Sequence, residues 1–355
     1  MVSGSRAAAP SAAGGDLARR TRVVSGTREA VRVTVTVTST SSFIRIGGEA
    51  HHVVVEGSGP VCVLSAGLGM SWFDWDPVAE LLAPFRTVVR FDRPGHGLSC
   101  PAPATTPPTA EGEAHRIAAI LDALELAAAD DHDHDPVTVV GHSVAGFHAE
   151  AFARLYPGRT ASVVLVDSSV EEHARMPAAP ALRTAATRAL GTALSVAGAP
   201  AALGPLARRA AVRAGRAGGR ADPEGGRGSS NGGDPAPPGL VRRCYRTSRV
   251  LRGALRENTH YRAVAAGLLA LRDRCPLPEE VPVTVLAAYD GRGGRGSLRW
   301  LERQRGLATL LGARFEVAEP SGHLVMLDRP DTVVRAVREA DSRVTVRDAG
   351  PRPVP

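Results

Sequence analysis

An uninterrupted apolar run, Val137 to Val140, gives way to Gly141-His142-Ser143-Val144-Ala145-Gly146 and then to the helix-like stretch Phe147 to Tyr156. A strand, a turn of small residues and a helix are therefore expected in immediate succession. Such a turn is tight. A serine at its tip takes a strained backbone, and its Oγ projects beyond the sheet only if the flanking positions leave room. Gly141 and Ala145 leave that room, and Gly146 keeps the helix entry small. The pattern is G-x-S-x-G with alanine in the last position.

Length and charge bound what can surround this turn. The 355 residues, 43% of them hydrophobic, suffice for one large α/β core with chain left over for an insertion and tails. The formal charge of +7 raises nucleic acid as a partner, but all 43 basic residues are arginines scattered through helix-like segments. There is no run of five or six and no aromatic interleaving, so no nucleic-acid partner is expected. Cys62, Cys100, Cys244 and Cys275 show no C-x-x-C spacing and are read as free thiols in a reducing compartment. No segment reaches the roughly 18 apolar residues of a membrane span, and Arg19-Arg20 precedes no apolar stretch. A cytoplasmic protein without stable membrane insertion is expected.

Residues 1–40 read as a disordered tail, with Val31 to Thr38 as a possible edge strand. Phe43 to Ile46, His51 to Val55 and Val61 to Ser65 are short strands joined by Gly47-Gly48 and Gly57-Ser58-Gly59-Pro60, two hairpin-like connections. A helix at Pro77 to Leu82, a strand at Thr87 to Phe91 and a helix at Glu111 to Leu126 lead to the strand before Ser143. Ser162 to Val166 is the next strand and ends at Asp167-Ser168-Ser169. The alternation predicts an α/β fold, a mostly parallel sheet with helices on both faces. Residues 41–170 and 281–342 form that core, and residues 171–280 an inserted helical cap with helices in Pro180 to Ala214 and Leu240 to Leu271. The segment 215–239 within the cap is too rich in Gly, Pro, Arg and Asp to order itself. Ala181 to Leu206 is apolar enough to lie on a lipid surface, but walls for an apolar pocket are the preferred reading. The sheet resumes at Val283 to Leu286 and Arg314 to Val317, Asp331 to Ala340 closes the core, and 343–355 is a tail.

Four blocks in this order carry a family resemblance. They are Leu64 to Gly69 with Trp72 and Trp75 beyond it, Arg90 to Ser99 (RFDRPGHGLS), the Ser143 turn, and Ser321-Gly322-His323 followed by Asp328-Arg329-Pro330. From about Phe43 to Val337 the chain resembles the α/β-hydrolase superfamily, in its cap-bearing esterase and haloperoxidase-like branch. The resemblance implies an eight-stranded α/β-hydrolase sheet and a nucleophile that precedes the histidine in the chain. Ser143 is the implied nucleophile and His323 the implied base, each the match to the family's residue in that block. For the acid two carboxylates compete. Asp290 follows the Val283 to Leu286 strand, although the usual register falls on Gly291. Asp167 follows the preceding strand and is the preferred of the two. An oxyanion hole is implied at the backbone N–H groups of Val144 and Leu68, the latter after Ala66-Gly67 where the family usually has His-Gly.

The cluster Asp131-His132-Asp133-His134-Asp135 holds competent metal ligands but reads as a solvated acidic turn before the Val137 strand. No phosphate loop or dinucleotide fingerprint appears, so no cofactor is expected. The reading is a cofactor-independent serine hydrolase whose partner is a small-molecule acyl substrate. It cleaves an ester or related acyl bond of a small to medium apolar compound by way of an acyl-enzyme. The alternatives are a ligand-binding or signalling protein on the same fold with little turnover, and a docking protein using the Arg-rich cap. Dehalogenase and epoxide hydrolase relatives need an aspartate where Ser143 stands.

Overall fold

The inner strands carry apolar side chains at odd and even positions alike, so a sheet built from them must be covered on both faces. The computed structural model describes residues 39–102, 106–126, 135–217 and 233–348. Its elements begin with β1 (Ser39–Ile46), β2 (Glu49–Gly57), β3 (Val61–Ser65), α1 (Asp76–Leu82), β4 (Thr87–Phe91) and α2 (Ala110–Ala123). The serine turn joins β5 (Val137–His142) to α3 (Ala145–Leu155), and β6 (Thr160–Val166) follows. Four helices come next: α4 (Pro180–Val196), α5 (Ala199–Gly215), α6 (Pro238–Tyr245) and α7 (Ser248–Arg274). The chain ends with β7 (Val283–Ala288), α8 (Arg295–Leu310), β8 (Arg314–Ala318), α9 (Val325–Asp328) and α10 (Pro330–Asp348).

The eight strands lie in the order β1-β2-β4-β3-β5-β6-β7-β8. β2 runs antiparallel to β1 and β4, and every other pair is parallel. Val63, Val139, Val163, Leu165 and Val285 face one layer, where α2, α3, α7 and α8 cover them. Cys62, Leu64, Val140, Val164, Val166 and Leu286 face the other, under α1, α9 and α10. Each such side chain contributes roughly 1.5–3 kcal/mol by leaving water. Because the inner strands are parallel, the loops after β3, β5, β6 and β8 all emerge at one edge of the sheet. α4 to α7, the insert between β6 and β7, reach over that edge.

Buried charge fastens the insert to the core. Arg208 of α5 hydrogen-bonds both carboxylate oxygens of Asp74, beside α1, and its Nε lies 3.0 Å from Asp234. Burial pushes the Asp74 carboxyl up, against the opposing pull of Arg208. From α7, Glu257 pairs with Arg93 at 2.6 Å. Ion pairs this dry are stabilising only while both partners are present.

The structure departs from the sequence reading at several places. Only the first of the two opening connections is a hairpin. Its Gly47 and Gly48 both have positive φ (57° and 85°), as a tight two-residue turn requires, whereas β2 leaves β3 and pairs with β4. α8 occupies residues for which the sequence predicts no helix, because four arginines and Gly306 dilute its apolar spacing. The closing helix runs on to Asp348, past the expected tail boundary at 343. Within the expected loop 215–239 the flanks are held: Asp234 pairs with Arg208, and α6 begins at Pro238. Residues 218–232, the possible strand Val31 to Thr38 and most of the tail 1–40 lie outside the described residues.

Replacing Arg208 with methionine leaves the fully buried Asp74 carboxylate uncompensated. Urea unfolding of Arg208→Met is expected to show a loss of about 3–5 kcal/mol, partly recovered in the Arg208→Met/Asp74→Asn double variant.

Candidate active site

β5 delivers Ser143 into a left-handed backbone, φ +55°. The turn is tied on both sides: the Ser143 N–H donates to the Val166 carbonyl at 3.1 Å, and its own carbonyl accepts from Gly146 and Ser169, each at 3.0 Å. A Cβ on Gly141 would lie 2.3 Å from the Ala145 carbonyl oxygen, and one on Gly146 would lie 2.0 Å from Ser168 Oγ. Steric necessity therefore falls on Gly141 and Gly146, and the alanine at 145 sits fully buried without conflict. Asp167 is strained in the same sense, with φ +41°. Non-glycine residues in this region cost roughly 1–3 kcal/mol, which surrounding contacts must offset.

The Asp167 carboxylate makes three hydrogen bonds. Oδ2 accepts from His323 Nδ1 at 2.6 Å, and Oδ1 accepts from the Ala288 N–H at 2.9 Å and from Trp300 Nε1 at 2.7 Å. Asp290 is not brought to His323. Its Oδ1 accepts the N–H of Arg292 at 3.1 Å and closes a turn of its own loop. Of the two carboxylates left open by the sequence, the geometry pairs Asp167 with the histidine. With Nδ1 engaged, the free nitrogen of His323 is Nε2, and Ser143 and His323 line one cavity.

His142, at the variable position of the turn, supports that histidine from behind. Its Nε2 donates to the His323 carbonyl at 2.9 Å, and the two rings lie 4.6 Å apart. Burial, reinforced by His323, pushes the His142 imidazole well below its ordinary value and keeps it neutral. The His323 loop is held from below by Asp328, which accepts from the Gly322 N–H at 2.9 Å and pairs with Arg216 at the end of α5 at 2.7 Å.

The loop after β3 is pinned from three directions. Arg93 donates to the carbonyls of Ala66 and Gly67, the latter at 2.9 Å, while Glu257 holds its guanidinium from the far side. Tyr245 of α6 donates to the Gly69 carbonyl at 2.8 Å, and Met70 N–H to the Gly67 carbonyl at 3.2 Å. Carbonyls held this way leave the Leu68 amide pointing elsewhere. Among the described residues, neither the Leu68 nor the Val144 N–H donates to any protein acceptor, and Leu68 borders the cavity.

That cavity encloses about 590 Å³ between the sheet edge and the insert. Leu194, Leu203 and Val212 from the insert give it apolar walls, and Ser143 and His323 lie at its floor. The volume suits a small to medium ligand. For a metal, Glu49, His51 and Cys100 place ligand atoms within 4.8 Å of one another, but Arg116 stands 3.3 Å from His51 and its charge opposes a cation. Residues 131–134 of the Asp131 to Asp135 cluster lie outside the described residues.

A mostly parallel eight-stranded sheet with a serine turn after β5 and a histidine loop after β8 is the α/β-hydrolase arrangement. The chain belongs to the alpha/beta hydrolase family, whose profile matches residues 62–336. Over 127 residues it is 33% identical to the abhydrolase domain-containing protein abhd-5.2 of Caenorhabditis elegans, covering 36% of this chain and 27% of that relative's length. Among solved structures, Cfl2 from Burkholderia cenocepacia superposes with a TM-score of 0.59 at 21% identity, covering 85% of this chain and 95% of that one. The epoxide hydrolase CorEH superposes with a TM-score of 0.58 at 19% identity, over 86% of this chain and 99% of that one. These two likenesses speak to the fold.

Sequence reasoning missed Trp300, Gln304, Arg93 with Glu257, and Tyr245. Trp300, Gln304, Leu307 and Leu311 do stand at helical spacing, which was the available signal for α8. Gln304 donates to the Ser168 carbonyl at 2.6 Å, so α8 supports both residues that follow β6. Nothing local marks Glu257 or Tyr245.

The buried His148 of α3 lies among Glu113, Arg93, Glu257 and Arg116, and burial depresses its imidazole to about 4 despite the opposing pull of Glu113. The unfolded chain takes up that proton near pH 6.5 and the folded chain does not. Stability from this site is therefore full at pH 7 and falls as pH drops below about 6.5. Denaturant melts at pH 7 and pH 5 are expected to differ by roughly 2 kcal/mol on this account, and the difference should shrink in His148→Gln.

Proposed function

We propose that this protein is a cofactor-independent serine hydrolase that cleaves an ester or related acyl bond of a small to medium apolar substrate. The observation that carries the reading is the Asp167-to-His323 hydrogen bond beside Ser143 in one apolar cavity. An unassisted serine hydroxyl is a poor nucleophile and needs a base at the moment of attack. Nε2 of His323 takes the Ser143 proton as Oγ adds to the acyl carbon, and Asp167 stabilises the imidazolium that results. The Leu68 and Val144 amides, without protein acceptors, donate to the developing oxyanion, an effect worth about 3 kcal/mol per donor. His323 then passes the proton to the leaving group, which departs from the acyl-enzyme. Water loses a proton to the same nitrogen as it attacks, and Ser143 is regenerated.

A serine at position 143 separates this chemistry from that of epoxide-opening relatives, which alkylate a carboxylate at the turn. Chain length of the acyl group is set by the insert walls, Leu194, Leu203 and Val212.

Labelling with a fluorophosphonate probe and turnover of p-nitrophenyl esters of increasing chain length test the reading. Ser143→Ala and His323→Ala are expected to abolish labelling and lower kcat by at least about 10⁴-fold, and Asp167→Asn to lower kcat by about 10⁴-fold with the protein still folded. Asp290→Asn should match the wild type. A wild-type protein that neither labels nor turns over any ester overturns the proposal.

Arg93→Ala should lower kcat by about 10²-fold with KM little changed, since it frees the Ala66 and Gly67 carbonyls and loosens the Leu68 donor without removing it. An equal loss in kcat and KM terms, or none, would argue against the Arg93 role.

A further inference from the structure

Helix α4 is amphipathic with its apolar side outward. The Thr184 and Thr187 hydroxyls meet His260 and Thr259 of α7 at 3.2 and 2.7 Å, and Gly191 is buried against Arg252 of the same helix. On the opposite side Leu182, Ala186, Ala189, Leu190, Ala193 and Val196 recur at three- and four-residue spacing, and all are exposed. Leu182 is 70% exposed, Leu190 51% and Val196 85%. α5 extends the surface with Leu203 at 58% and Leu206 at 56%. Single exposed leucines need no explanation, but a contiguous apolar helix face does.

Charge narrows what can cover it. From His173 to Ala217 the sequence contains no Asp or Glu. Arg183, Arg188, Arg209 and Arg213 are exposed there, and among the described residues none of them is ion-paired. A second copy of the same face would bring like charges together, because a two-fold contact must be self-complementary. An anionic surface has the required sign. Each helix is 17 residues, about 25 Å long, and the two meet at a bend of 105°. Neither helix alone is long and apolar enough to cross a membrane; the two together are, as a bent pair, by length and composition, but the unpaired exposed arginines on both helices favour lying at a surface over spanning it.

We propose that the outer face of α4 and α5 seats on an anionic lipid surface, with its leucines and Val196 at the acyl boundary and its arginines at the level of the phosphates. Leu203 belongs to both surfaces, since it is exposed on α5 and also lines the Ser143 cavity. An acyl chain held in the lipid layer thus reaches the cavity along Leu203 without crossing bulk water. That last step rests on the hydrolase reading; the docking does not.

Flotation of the full chain with vesicles of phosphatidylcholine, alone or mixed with phosphatidylglycerol, tests the docking, with Ser143→Ala run beside the wild type. Both proteins are expected to float with the mixed vesicles and to lose at least about tenfold in binding at high salt. Leu190→Glu/Val196→Glu and Arg183→Glu/Arg188→Glu should each lose at least about tenfold at low salt, with circular dichroism unchanged. Neither pair lines the cavity, so turnover of a soluble short-chain ester should stay at the wild-type level. A wild type that does not float, or variants that float equally well, overturns the proposal. So does a wild-type dimer in sedimentation velocity that these variants dissociate, which would assign the face to a second copy. Failure of the hydrolase reading shows separately, as absent probe labelling in a protein that still floats.

Discussion

One carboxylate joins four parts of this molecule. Asp167 follows β6, accepts the N–H of Ala288 at the end of β7, receives the indole N–H of α8 and holds the imidazole of the loop after β8. Three donors on two oxygens fix the carboxylate in rotation as well as position, and hydrogen bonds to an ionised acceptor are the strong ones. The left-handed backbone at Asp167 is tolerable only because these contacts over-determine it. Remove the adjacency of β6, β7 and β8 and no element of the site retains its place.

The serine turn obeys the same logic from the neighbouring strand. Ser143 is strained, and its carbonyl is bonded to Ser169, two residues past Asp167, so the two strained residues stiffen each other. α3 then packs behind the turn through Phe147 and Phe152, and the cost of the unusual backbone is offset by burial. Strain of this kind survives only inside a packed scaffold, and here the scaffold is the adjacent strand pair β5 and β6.

Around this centre, buried charge does what apolar packing does not: it specifies one arrangement of the insert. Arg93 and Glu257 tie α7 to the loop after β3, Arg208 and Asp74 tie α5 to the approach of α1, and Arg216 and Asp328 tie the end of α5 to the histidine loop. Small, interchangeable alanines and leucines on the insert could slide against one another. A guanidinium that must reach a particular carboxylate cannot. The site is thus closed by a surface whose inner wall is set by ion pairs and whose outer face is left apolar.

The strands and the serine turn were legible in the sequence because their signals are local: apolar runs bounded by Gly and Pro, and a run of small residues between a strand and a helix. Thr87 to Phe91 was placed to the residue, and Ser143 and His323 fell on the loops expected for them. Which carboxylate meets His323 was not decidable in this way, since Asp167 and Asp290 both follow a strand and only the contact with His323 separates them. α8 was lost because its inward face includes Trp300 and Gln304, whose value lies in partners more than a hundred residues away. The clamps Arg93 to Glu257 and Arg208 to Asp74 are likewise invisible along the chain, for arginine is everywhere in it and pairing is decided by which helices meet. The sequence by itself determined which segments are strands, helices and turns, because those choices are made within a few residues by burial pattern and backbone sterics. Only the tertiary structure decided which carboxylate meets the histidine and which arginine lies buried, because a charge finds its partner through space, after the sheet has closed.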